Sequence, residues 1–143
     1  MKFDYLTPLS KIAKRYGLSA IYAFGSRGPE AAARLHGQRP SALHPDSDLD
    51  IGVQPIQSRN LSAREKVEIG LSLEDLFQVR RVDLVVLNEA RPFLALDIIK
   101  GELLYCDDLD RQAEEELYVL RRAGDLAYYE RERRRLILNG ESK

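Results

Sequence analysis

Three short stretches carry side chains suited to phosphate and divalent metal. In Phe24-Gly25-Ser26-Arg27-Gly28 an apolar run breaks into a glycine turn, followed by a hydroxyl and a guanidinium. Glycine lets backbone N–H groups approach an anion closely, and a serine hydroxyl there can donate to a phosphate oxygen. Taken alone, the stretch reads as an ordinary loop. In Asp46-Ser47-Asp48-Leu49-Asp50-Ile51-Gly52-Val53, Asp48 and Asp50 stand two positions apart. On a strand that spacing puts both carboxylates on one face and Leu49 on the other. Paired carboxylates repel unless a cation sits between them, and magnesium takes both carboxylate and phosphate oxygens. The competing reading is an acidic turn in which Asp46 and Asp48 cap the chain. Asp83 opens a third stretch, Asp83-Leu84-Val85-Val86-Leu87, that is otherwise apolar. If it lies beside Leu49 to Val53, three carboxylates converge at one end of a sheet, which is two-metal phosphoryl-transfer geometry. If it does not, Asp83 pairs with Arg80 or Arg81.

The elements that would position these residues are legible in outline. Thr7-Pro8 reads as a helix start, with Leu9, Ile12, Ala13 and Tyr16 at helical spacing and Gly17 as the stop. Residues 20 to 24 form a buried strand ending at Gly25-Ser26, and Ala31 to Leu35 suggests one or two helical turns. Leu49 to Val53 is the next strand, closed by Pro55. A capping box at Ser62 and Glu65 opens a helix carrying Val67, Leu71, Leu73, Leu76 and Phe77. Val82 to Leu87 is the third strand. Pro92 starts a short helix through Ile99, Gly101 stops it, and Glu102 to Tyr105 forms an edge strand. A long helix spans about Asp108 to Leu138, with Leu109, Ala113, Leu117, Leu120 and Ala127 on one side and Gly124 as a bend point. Alternating strands and helices make this an α/β (α+β) fold, a small mixed sheet flanked by helices with a long C-terminal helix. Residues 1–143 are expected to form one domain.

Composition narrows the function classes. The chain has 143 residues, is 44% hydrophobic and 31% charged, and so can bury a core without disulfide staples. Disorder and a membrane-embedded protein are excluded by that balance. The opening Met1-Lys2-Phe3-Asp4-Tyr5 does not read as a signal peptide. One cysteine, Cys106, forms no internal disulfide and points to a cytoplasmic protein; with two histidines it leaves too few soft ligands for structural zinc. A net charge of −1 offers no global field for nucleic acid, so direct nucleic-acid binding is not expected.

Together the motifs resemble the minimal nucleotidyltransferases of the polymerase-beta superfamily. Their signature is Gly-Ser, a spacer, Asp-x-Asp, then a third acid on a later strand. Here those positions are Gly25, Ser26, Asp48, Asp50 and Asp83, and the likeness covers roughly residues 6 to 105. The departure is the spacer: 21 residues separate Ser26 from Asp48, about twice the family's length, which places an insertion within 28–45. The resemblance implies displacement at the α-phosphate of ATP with two magnesium ions held by Asp48, Asp50 and Asp83. Gly25, Ser26 and Arg27 would hold phosphates, although Arg27 reads as well as a solvent-facing side chain.

A core this small is similar to the antitoxin half of HEPN/MNT toxin–antitoxin pairs, and Arg121 to Arg131 looks like the tail of those proteins. That likeness implies AMP transfer to a tyrosine of a cognate HEPN ribonuclease toxin, in a hetero-oligomer. The alternatives are an antitoxin that neutralises by binding alone and a small-molecule, antibiotic-type nucleotidyltransferase. Among the remaining residues, His36 and His44 read as loop histidines and Cys106 as a small core residue. Arg131 to Arg135 reads as a solvated helix face, and Tyr118, Tyr128 and Tyr129 as partly core, partly docking.

Overall fold

The computed structural model describes residues 6–35 and 48–141. Helix α1, Leu6–Tyr16, ends where Gly17 adopts φ +63°, a left-handed stop that favours glycine. Strand β1, Leu18–Phe24, is buried along its whole length, and a short 3-10 turn, Gly25–Arg27, joins it to α2, Gly28–Leu35. Strand β2, Asp48–Pro55, alternates core-facing Leu49, Ile51 and Val53 with Asp48, Asp50, Gly52 and Gln54 on the other face.

The capping box at the start of α3, Ala63–Phe77, is present as expected. The Ser62 hydroxyl accepts from the Glu65 N–H at 3.1 Å, and the Ser62 N–H donates to Glu65 Oε1 at 3.1 Å. Ile69, Leu73 and Phe77, four apart, turn inward, while Val67 and Leu71 face solvent. Strand β3, Arg81–Val86, gives up Leu87 to a 3-10 turn closed by the Ala90 N–H on the Leu87 carbonyl at 3.2 Å. Helix α4 is Pro92–Ile99, strand β4 is Glu102–Cys106 and helix α5 is Leu109–Glu141.

The sheet order is β3-β2-β1-β4, with β2 and β3 parallel and β1 antiparallel to both its neighbours. Helices α1, α2 and α3 cover one face. Helices α4 and α5 cover the other, over Ala20, Tyr22 and Phe24.

Helix α5 turns outward the side that its apolar spacing marks. Leu109, Ala113, Leu117 and Leu120 do share a side, but that side is exposed, Leu109 at 72% and Leu117 at 51%. The buried side carries Gln112, Val119 and Ala123. The choice follows from buried polar groups on the sheet. The Gln112 amide donates to the Tyr22 hydroxyl at 2.7 Å and to Gln54 Oε1 at 3.0 Å, and Tyr22 donates to Glu116 at 3.1 Å. Stranding Tyr22 and Gln54 under a leucine face would leave polar atoms unpaired, which costs more than the leucines gain. Burial also pushes the Tyr22 hydroxyl pKa upward. The helix runs unbroken through Gly124, and Tyr118, Tyr128 and Tyr129 are all exposed.

Candidate active site

The chemistry-bearing residues meet at one end of the sheet, and the pairing registers explain how. Phe24 is the partner of Asp50 across β1 and β2, and Asp50 is the partner of Asp83 across β2 and β3. Asp48 is opposite Arg81 on the same parallel pair. Parallel pairing puts the starts of β2 and β3 side by side, while antiparallel β1 brings its last residue to the same end. Asp50 is therefore central, with Asp48 two residues before it, Asp83 on one neighbouring strand and the Gly25 turn after the other.

Gly25 is required where it stands. Its φ is +71°, and a Cβ built on it would lie 2.6 Å from Asp50 Oδ2. The Gly25–Arg27 turn runs directly into α2, with the Gly28 N–H on the Gly25 carbonyl. A turn and helix start of this kind present backbone N–H groups to an anion. Gly25→Ala is expected to cost about 1–3 kcal/mol from the left-handed backbone and from displacement of the Asp50 carboxyl. Gly124→Ala, with nothing within 4 Å of its added methyl, is expected to stabilise by up to about 1 kcal/mol. Urea unfolding of the two variants should move in opposite directions.

The electrostatics are those of acids held together. Partial burial raises the Asp50 pKa, and the charges of Asp83 and Asp48 raise it further. Asp83 itself pairs with Arg81 Nε at 3.1 Å, so it joins the acids at one end and also takes the arginine that the sequence offered as its alternative. Arg27, at the end of the turn, pairs with Glu30 of α2 at 3.1 Å and stays partly exposed to solvent. Among the described residues no three His, Cys, Asp or Glu side chains are grouped as ligands of one ion. Asp83 must exchange Arg81 for a metal to complete such a set. The donors are nonetheless all carboxylate oxygens around a repelled, charge-raised Asp50, and that set fits magnesium.

Other expectations fall away from this end. Asp46, His36 and His44 lie outside the described residues, as does most of the expected insertion; its beginning, Gly28–Leu35, is a helix whose Ala31 is fully buried. Cys106 ends the edge strand, half-buried, with its thiol pKa raised by burial. A cavity of about 270 Å³ lined by Gln54, Leu87, Pro92, Ala95, Val119 and Arg122 opens between α4 and α5 near the opposite end of β2. What sequence reasoning missed is the corner after α4, where Gly101 packs on Phe24. Only the crossing of α4 over the sheet makes that contact.

Residues 8–110 match the family described as "Polymerase beta, Nucleotidyltransferase". The chain belongs to this family. Its members are nucleotidyltransferases, and the four-stranded mixed sheet with its long C-terminal helix is this family's fold. Three solved structures share that fold over nearly the whole chain. One is a toxin–antitoxin with AMP-PNP, 22% identical, covering 95% of this chain and 98% of that one at TM-score 0.62. Another is a tri-AMPylated Shewanella oneidensis HEPN toxin in complex with MNT antitoxin, 20% identical, covering 96% of each chain at TM-score 0.58. The third is the toxin–antitoxin MntA-HepT, 20% identical, covering 96% of this chain and 97% of that one at TM-score 0.58. Among curated proteins, none matches the chain. No helix among the described residues of this nucleotidyltransferase is long and apolar enough to cross a membrane.

Proposed function

We propose that this nucleotidyltransferase is a magnesium-dependent protein adenylyltransferase. It transfers AMP from ATP to a tyrosine hydroxyl of a cognate HEPN toxin and thereby acts as the antitoxin, in the cytoplasm and within a hetero-oligomer. The observation that carries the reading is the register that sets Asp50 between Asp48, Asp83 and the Gly25 turn. A HEPN toxin as acceptor is carried over from the AMPylated toxin–antitoxin complex that shares the fold, and the tyrosine from the family resemblance.

Asp48 and Asp50 would hold magnesium, with Asp83 joining them. Bound there, the metal neutralises triphosphate charge and eases deprotonation of the acceptor hydroxyl. The chain's own groups do the rest. Backbone N–H groups of Gly25 to Arg27 and the Ser26 hydroxyl hold the phosphate oxygens in line. Asp83, released from Arg81, takes the proton as the acceptor oxygen bonds to the α-phosphorus. The bond from that phosphorus to the bridging oxygen breaks, and pyrophosphate leaves with the electron pair. Incubating the protein with its genomic neighbour, ATP and magnesium tests the reading. Intact-mass spectrometry should show one or more AMP additions on the partner; an unmodified partner that is still inhibited stoichiometrically would make the protein a binding antitoxin instead.

That second reading draws on the exposed side of α5, where Leu109, Leu117 and Leu120 lie uncovered. Such a strip suits a helical partner whether or not catalysis follows. The double substitution Leu117→Glu with Leu120→Glu should weaken partner binding about tenfold or more while leaving ATP binding unchanged. Surface plasmon resonance and nucleotide titration on the same preparation check both halves.

A further inference from the structure

Helix α4 runs its C-terminal end toward the acids. Ile98 is seated over Gly52, where a Cβ would lie 2.5 Å from Ile98 Cγ2. Two residues past the helix, Gly101 meets β1 so closely that a Cβ there would lie 2.4 Å from the Ala23 carbonyl oxygen and 3.0 Å from Phe24 Cα. Phe24 is the register partner of Asp50 and the chain neighbour of Gly25. Lys100 thus stands one Cα step, about 3.8 Å, from a residue packed on Phe24. It caps α4 at the acid end of the sheet, and its side chain is exposed.

Arg80 and Arg81 stand at the start of β3, on the far side of the acids from the Gly25 turn, and Arg27 is paired with Glu30. On the Gly25 side, next to β1, the Lys100 ammonium has no ion-pair partner among the described residues. A site of three carboxylates that must also admit a polyphosphate needs positive charge beyond the metal. A lysine supplies it as a mobile point charge on a long stem.

We infer that Lys100 is a substrate-binding residue that contacts the β- and γ-phosphates of the nucleoside triphosphate. The inference rests on the reading of the acid end as the nucleotide site. Its plain structural alternative is a cation that merely favours the C-terminus of α4.

Titration calorimetry of the full chain with magnesium and either ATP or AMP separates the two. Lys100→Gln should weaken ATP binding about tenfold and leave AMP binding unchanged, because AMP lacks the phosphates concerned. Lys100→Arg should restore most of the ATP affinity. A lowered melting temperature for Lys100→Gln with wild-type ATP affinity would overturn the inference, as would equal losses for ATP and AMP. If the wild type binds no ATP, the nucleotide-site reading itself falls, and this inference with it. Wild-type binding with an indifferent Lys100→Gln removes only the role of Lys100.

Discussion

Asp83→Asn is expected to bind ATP and the partner nearly as well as the wild type and to transfer AMP about 10²- to 10⁴-fold more slowly. Asp48 and Asp50 remain to hold the nucleotide's metal, so affinity is largely kept. In the proposed mechanism the substitution removes the proton acceptor, which matters only as the acceptor oxygen attacks, so the loss is expected to fall on turnover rather than on binding. Fold stability should hardly change. The Arg81–Asp83 pair is substantially exposed on both sides, and such pairs contribute about 0–1 kcal/mol. The same pair supplies the control. If Asp83 served only to anchor Arg81, then Arg81→Gln would slow transfer as much as Asp83→Asn does. Transfer kept in Arg81→Gln and lost in Asp83→Asn assigns the effect to the carboxylate. Single-turnover AMP transfer followed by intact mass, alongside ATP titration, gives both numbers.

Legibility in the sequence divided along the line between local and non-local interactions. The Asp48/Asp50 spacing, the Gly25 break, the Ser62/Glu65 capping box and Pro92 at the start of α4 each act within a few residues, and each element lies where its signal put it. Asp83 became informative only on the condition that β3 lay beside β2, a condition the parallel register meets. The face of α5 was not legible, because its leucines obey helical spacing while the buried side is chosen by Tyr22 and Gln54, far away in sequence. Lys100 was invisible for the same kind of reason. Nothing near it resembles a phosphate motif, and its place depends on how α4 crosses the sheet to bring Gly101 onto Phe24. The attachment of Arg27 to Glu30 was available as a pairing three residues apart, but it competes with a phosphate role that the turn made more prominent.

Asp50→Asn is expected to abolish magnesium-dependent ATP binding and, without metal, to make the protein more stable at neutral pH. The first effect is the loss of the central carboxylate ligand, and the second is relief of a repelled charge. Burial and the charges of Asp83 and Asp48 raise the Asp50 pKa above its ordinary carboxylate value, so the folded state holds a proton there more tightly than the unfolded chain does. The sign follows from linkage. As pH rises from the ordinary carboxylate range through the raised value, the unfolded chain releases this proton first, and the folded state loses stability until Asp50 also ionises. At neutral pH the full penalty is present, and asparagine removes it. The apo variant should therefore melt a few degrees above the wild type at pH 7, and the difference should vanish at a pH below the ordinary carboxylate value. Magnesium with ATP should reverse the order at pH 7, since ligand binding to the folded wild type raises its melting temperature by mass action and the variant lacks the central ligand. Calorimetric melts of both proteins, with and without magnesium and ATP, read all four states. An apo variant no more stable than the wild type would mean that the three acids do not strain one another. A variant still stabilised by magnesium and ATP to the wild-type extent would place the nucleotide's metal away from Asp50.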